Sequence, residues 1–224
     1  SPTKEFFVNM LVRDILLKQA IIELIDNSID GARSIRKNNQ YSGLKICVKF
    51  DNSKFVIEDN CGGIPLDVAA NYAFRFGRPK TVESSNTETT GIFGIGMKRA
   101  LFKIGNNFSI HSITKTTEFQ LNLDVKEWLK KDDSDWDFSF SSYKENMNNS
   151  EEDTGTKIEV TDLNSEIAAE LNSEEFEKEV IEHIQRRVGL DIAYGIAIVV
   201  NDKTLVGNNI VLIDNEEINP IKEE

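Results

Sequence analysis

Gly91-Ile-Phe-Gly94-Ile-Gly96-Met-Lys98-Arg-Ala100 sets three glycines ahead of an apolar run that carries two basic residues. The stretch from Met97 to Ile104 reads as a helix, with the glycines as its opening turn. Free backbone N–H groups at a helix start, the helix dipole and a lysine all favour an anion. A flexible linker also uses glycines, but a linker need not lead into a well-formed helix. Two common phosphate motifs fail on spacing. In the Gly-x4-Gly-Lys-Ser/Thr loop, Gly91 and Gly96 would be the glycines, but Met97, Lys98 and Arg99 follow. In the Gly-x-Gly-x-x-Gly fingerprint, Gly94 and Gly96 are followed by Arg99, and a polar loop stands where a strand is needed.

Upstream, residues 77–91 are rich in Thr, Ser, Asn and Glu without periodicity and read as a mobile loop. Before them, Val56-Ile-Glu-Asp59-Asn-Cys-Gly62-Gly63-Ile64 is a strand running into a glycine turn. An Asp at a strand end can accept a hydrogen bond from an exocyclic amine, and Gly63 would let a flat ring approach the backbone. The same residues also make an ordinary turn. Residues 5–37 read as helix. At 100° per residue, Leu17, Ile21, Leu24, Ile25, Ser28 and Ala32 fall within about 100° of one another and form its core face. Glu23, Asp26, Asn27 and Asp30 lie opposite. They are either a solvated polar face or a site. Asp26 and Asp30 are like charges one turn apart, and only Arg33 in this stretch could offset them. Such a face suits a cation or a positioned water: Glu23 can take a proton from water, and the Asn27 carbonyl can ligate Mg2+.

The remaining strand readings are a hairpin, 45–50 and 54–58 about Asp51-Asn52-Ser53, then runs near 107–113, 117–123, 136–143 and 157–160. A short helix is expected around 66–74. Ser173 caps a helix that Gly189 is placed to end, and 196–206 form a last hairpin about Asn201-Asp202. Separate hairpins and helices predict an α+β fold (an α/β sandwich) with a mixed, mainly antiparallel sheet and helices on one face. The 224 residues, 39% apolar and 29% charged, suit one core of ordinary size, with no apolar run long enough to span a membrane. Two cysteines, Cys47 and Cys61, point to a reducing, cytoplasmic setting with no disulfide framework; with His111 and His183 far apart, no zinc site is readable. The net charge of −12 argues against a broad nucleic-acid contact by this segment. The chain lacks a starting Met and ends after a strand-like stretch, so a larger protein is expected.

Taken in order, these stretches resemble the GHKL ATPase superfamily of gyrase, heat-shock chaperone, histidine kinase and mismatch-repair proteins. Glu23-Leu-Ile-Asp-Asn27 resembles its Glu-x3-Asn box. Asp59-Asn-Cys-Gly62-Gly63 resembles its Asp-x-Gly-x-Gly box, with Cys61 at the first glycine. Gly91 to Ala100 resembles the third box, and Gly155-Thr156 entering a strand the fourth. The resemblance covers residues 20–206. The spelling Phe93 to Lys98 is similar to the chaperone-like and microrchidia-like branch. It implies a Bergerat fold that binds ATP and Mg2+, with Glu23 as general base and Asn27 as the Mg2+ ligand. Asp59 would read the adenine amine with support from Thr156, and Asp30, Gly63 and Ile64 join the ATP-binding set. Gly91, Phe93, Gly94, Ile95, Gly96, Met97 and Lys98 would wrap the phosphates. Residues 77–91 would be the lid, where Arg78 and Lys80 face phosphate or solvent. Residues 1–190 would be the ATPase domain and 191–224 the start of a following one. The implied function is Mg-dependent ATP hydrolysis driving a conformational switch and an ATP-dependent homodimer, slow in this segment alone; the alternative is a nucleotide-binding module with little hydrolysis.

Overall fold

The computed structural model describes residues 3–70, 92–132, 135–136 and 138–207. In chain order the elements are α1 (Lys4–Val12), α2 (Leu17–Ile35), β1 (Lys45–Phe50), β2 (Phe55–Asp59), a single turn α3 (Leu66–Val68) and α4 (Ile92–Ile104). Next come β3 (Gly105–Ile113), β4 (Glu118–Asp124), α5 (Val125–Lys130), β5 (Ser142–Lys144), β6 (Gly155–Leu163), α6 (Ser165–Leu171), α7 (Glu174–Ala193), β7 (Ala197–Val200) and β8 (Lys203–Thr204). The strands form one sheet in the order β5-β4-β3-β6-β2-β1-β7-β8. Every pairing is antiparallel except β1 with β7. The α+β expectation therefore holds, and residues 197–204 complete the same sheet.

Strand alternation puts every second residue of a strand on one face, and the register aligns these residues into rows. One row runs Val200, Val48, Ile57, Ile158, Ile110, Leu121, apolar and buried throughout. The next row towards the Asp59 end of β2 begins and ends the same way, with Ile198 and Ile46 at one side and Phe119 at the other. Between them stand Asp59, Thr156 and Ser112. Helices α2, α4 and α7 pack against the sheet, and α2 packs along α4.

The two hairpin turns follow from their residues. Asp51 Oδ1 accepts from Ser53 N (2.7 Å), Ser53 Oγ (2.5 Å) and Lys54 N (3.1 Å), closing β1–β2. Asn201 and Asp202 both take positive φ, 43° and 65°, as a two-residue hairpin loop requires.

Several boundaries differ from expectation. The helix over 5–37 is two helices. Arg99 Nε donates to Leu11 O (2.8 Å) at the end of α1, Ile15 turns into the core, and Gln19 Oε1 accepts from Leu16 N (3.2 Å) to start α2. Helix α7 passes Gly189 with a kink at Val188 (φ −119°, ψ 22°) and ends at Gly195, which supplies φ +103°. Helix α4 begins at Ile92, about one turn before Met97, so Gly94 and Gly96 lie inside the helix. The strand expected over 136–143 is reduced to Ser142–Lys144, because Trp136 and Phe138 turn inward against Trp128. Among the described residues, no helix is long and apolar enough to cross a membrane.

Candidate functional site

The polar row of the sheet forms one wall of a cavity of ≈ 200 Å3, with α2 as the facing wall. That is below the ~300–1,000 Å3 of a whole ligand site and of a size for a flat heterocycle. Of the residues singled out in the sequence, Asn27, Asp30, Asp59, Gly63, Ile64, Met97 and Thr156 line it together. Leu24, Ile57, Val68 and Ile158 give it apolar sides.

Asp59 is the most connected group. Its Oδ2 accepts from Ser28 Oγ (2.7 Å), and its Oδ1 accepts from Cys61 N (2.8 Å) and Thr156 N (3.3 Å). Burial pushes its pKa above the usual carboxylate value, and these three hydrogen bonds pull the other way without reversing it. Gly63 holds φ +73°, and a methyl group on it would overlap the Ile113 carbonyl, so only glycine keeps this turn against β3. The left-handed positions are Gly62 (φ +93°) and Gly63; Cys61 has no such backbone demand. Its side chain is buried in the cavity wall, where burial and the Asp59 charge raise the thiol pKa. A cysteine at this place is therefore compatible with the pocket.

Ser112, on β3, is 1% exposed. Its Oγ accepts from Ile64 N (2.7 Å) and shares a hydrogen bond with Thr156 Oγ1 (3.1 Å). Ser28 and Ser112 are the site residues that sequence reasoning did not identify. The signal was present: each is a serine in a periodic apolar face, Ser28 on α2 and Ser112 following Phe108 and Ile110 on β3. A serine in a buried row needs a polar partner.

The α2–α4 end is organised differently. The Asn27 side-chain nitrogen is buried without a hydrogen-bond partner among the described residues. Glu23 forms no hydrogen bond or salt bridge among the described residues, and its carboxylate lies so close to Gly96 that a methyl group there would overlap it. The acids expected to attract a cation are largely matched by arginines. Asp26 pairs with Arg187 of α7 (3.0 Å), and Asp30 pairs with Arg33 (3.2 Å), which also holds Asp191 (3.1 Å). Burial still raises the Asp30 pKa, with Arg33 opposing. Glu23, unlike Asp26 and Asp30, makes no ion pair with an arginine among the described residues, though Arg187 is near enough to feel its charge.

The remaining candidates are dispersed. Met97 is buried and lines the cavity beside Leu24 rather than standing apart as a phosphate contact. Ile95 is 63% exposed and outside the cavity lining. Lys98 is buried, with its pKa lowered to about 8 by desolvation, and does not line the cavity. Gly94 and Phe93 fall in the first turn of α4. Lys80, Gly91, Arg78 and the rest of the expected lid lie outside the described residues.

No group of three His, Cys, Asp or Glu side chains able to hold a metal occurs among the described residues. Mg2+ commonly takes one or two protein ligands together with substrate phosphates. The two ends of the Asn27 amide would divide that role: the carbonyl oxygen is the end that could ligate the metal, and the nitrogen, buried and without a partner among the described residues, is a donor suited to a phosphate oxygen.

Among protein-family models, that of the histidine kinase-, DNA gyrase B-, and HSP90-like ATPases matches residues 15–156. No curated protein sequence matches the chain. The matched span runs from the turn before α2 to Thr156, and so contains every residue that lines the cavity except Ile158.

Proposed function

Because the chain belongs to the histidine kinase-, DNA gyrase B-, and HSP90-like ATPase family, we propose that it binds Mg·ATP in this cavity and hydrolyses it. The observation that carries the proposal is the Asp59 carboxylate, buried in the pocket wall and held by three donors. A buried acceptor beside a glycine turn fits the exocyclic amine of an adenine ring. With the base there, the triphosphate would lie along α2 towards Asn27 and Glu23. When bound, Mg2+ neutralises phosphate charge. In the proposed reaction Asn27 holds the metal-bound phosphates in register with the ring. Glu23, unpaired and one turn away, accepts the proton of the attacking water. Gly96 gives the carboxylate room against α4. Nucleotide binding would act as the switch that favours a homodimer.

Titration calorimetry with a non-hydrolysable ATP analogue, with and without Mg2+, tests binding. The expected result is saturable 1:1 binding that weakens when Mg2+ is removed. No binding at millimolar nucleotide would overturn the proposal. ADP release under saturating ATP tests hydrolysis; binding without any release would leave a nucleotide-binding module.

A further inference from the structure

We propose that Ser112 is a positioning residue that fixes the direction of the Thr156 hydroxyl and thereby sets which purine the pocket accepts. The proposal rests on the nucleotide reading above and adds a residue to it. Asp59, Thr156 and Ser112 are direct cross-strand neighbours in the register of β2, β6 and β3. Each hydroxyl has one proton and two acceptor sites. Ser112 Oγ already accepts the Ile64 N–H at 2.7 Å. Its own proton can go to Thr156 Oγ1 at 3.1 Å or to Gly155 O at 3.5 Å. The first is the better hydrogen bond, since distances near 3.5 Å lie at the edge of bonding. With that choice Thr156 accepts from Ser112 and its own proton is free to point into the cavity.

The acceptor count at Asp59 is equally restrictive. A carboxylate offers about four acceptor sites. Oδ1 takes two backbone N–H groups and Oδ2 takes the Ser28 hydroxyl. The spare site is on Oδ2. The wall therefore presents one acceptor, Asp59, beside one donor, Thr156. Adenine presents an amine donor beside a ring-nitrogen acceptor, whereas a 6-oxopurine places an acceptor oxygen where the amine would be. The Asp59–Thr156 pair matches the first edge and opposes the second. If Ser112 lost its hydroxyl, the Thr156 hydroxyl would lose the donor that fixes its direction and could rotate to present an acceptor instead.

The test compares ATP with inosine triphosphate, which differs at the 6-position without the guanine amine, by competition binding to the chain. Wild type should prefer ATP. Ser112→Ala should narrow that preference about tenfold, and Ser112→Thr, which keeps the hydroxyl, should restore it. Thr156→Val keeps the Ser112–Ile64 bond and should narrow the preference likewise, so the test survives if Ser112→Ala fails to fold. Equal losses of both affinities in Ser112→Ala, or an unchanged preference in Thr156→Val, would overturn the relay. A wild type that binds ATP but shows no preference also overturns it. A wild type that binds neither nucleotide overturns the ATP reading itself.

Discussion

The sheet end and the helix end of the cavity are built on opposite terms. At the sheet end, Asp59 accepts three hydrogen bonds, and Ser112 ties Ile64 to Thr156. At the α2–α4 end, among the described residues, the Asn27 amide nitrogen is buried with no partner and Glu23 makes no hydrogen bond or ion pair. A satisfied buried network is rigid before any ligand arrives, while an orphaned buried donor costs about 1–3 kcal/mol until something fills it. On the proposed function, the difference would separate recognition from reaction. The end that would read the base is complete in the protein. The end that would do chemistry is left for substrate and water to complete.

Substitutions at the two ends should therefore differ in kind. The largest effect is expected at Glu23. Glu23→Ala should slow ADP release by about 10^2–10^4-fold, the usual worth of a general base, while ATP affinity stays within a few-fold. A variant that hydrolyses at the wild-type rate would remove Glu23 from the reaction. Asp59→Asn should act on affinity instead. The amide oxygen can keep both backbone N–H groups, but the nitrogen replaces the spare acceptor. ATP affinity measured by calorimetry should fall about 100-fold, the cost of a mispaired buried hydrogen bond to a charged group.

Stability separates the ends as well. Asp59→Ala strands the Ser28 hydroxyl and two backbone N–H groups and should cost about 2–4 kcal/mol in urea unfolding. Asn27→Ala removes an orphaned donor from a helix interior and should fall within about 1 kcal/mol of wild type, or above it. Equal losses in the two variants would erase the contrast. The pH dependence follows from the raised Asp59 pKa. A carboxyl whose folded pKa lies above its unfolded value of 3.8 favours the folded state in acid. That contribution is complete below the unfolded value and is lost as pH rises through the folded one. Asp59→Asn should flatten this part of the stability–pH curve. ATP binding should weaken in the opposite direction, as protonation in acid fills the acceptor. The smallest effect is expected at Cys61. Because that position needs no left-handed backbone, Cys61→Gly should lower stability by about 1 kcal/mol through lost burial and a freer unfolded chain.

Much of the fold was legible because local rules produce it. The hairpin about Asp51 and the one about Asn201-Asp202 follow from side-chain turn chemistry, and α2 from its apolar spacing. The departures occur where a distant group decides. Arg99, 88 positions along the chain, caps Leu11 and helps end α1. The aromatic cluster around Trp128 draws Trp136 and Phe138 out of strand pairing. Arg187 neutralises Asp26, which looked reserved for a cation, because α7 lies against α2 only in the folded chain.

The sequence by itself determined the chemistry of the site: an acid and an amide one helical turn apart, an acid before paired glycines, and a glycine-rich run into a helix. Local periodicity and turn propensity encode these, and both act over a few residues. Only the tertiary structure decided which residues complete them. Ser28 and Thr156 reach Asp59, and Ser112 reaches Thr156, through helix packing and strand register, and register aligns positions 44 and 97 residues apart along the chain. No short-range rule carries that alignment. It is fixed by the buried apolar rows beside it, since slipping one strand by one residue would turn its entire core face to solvent.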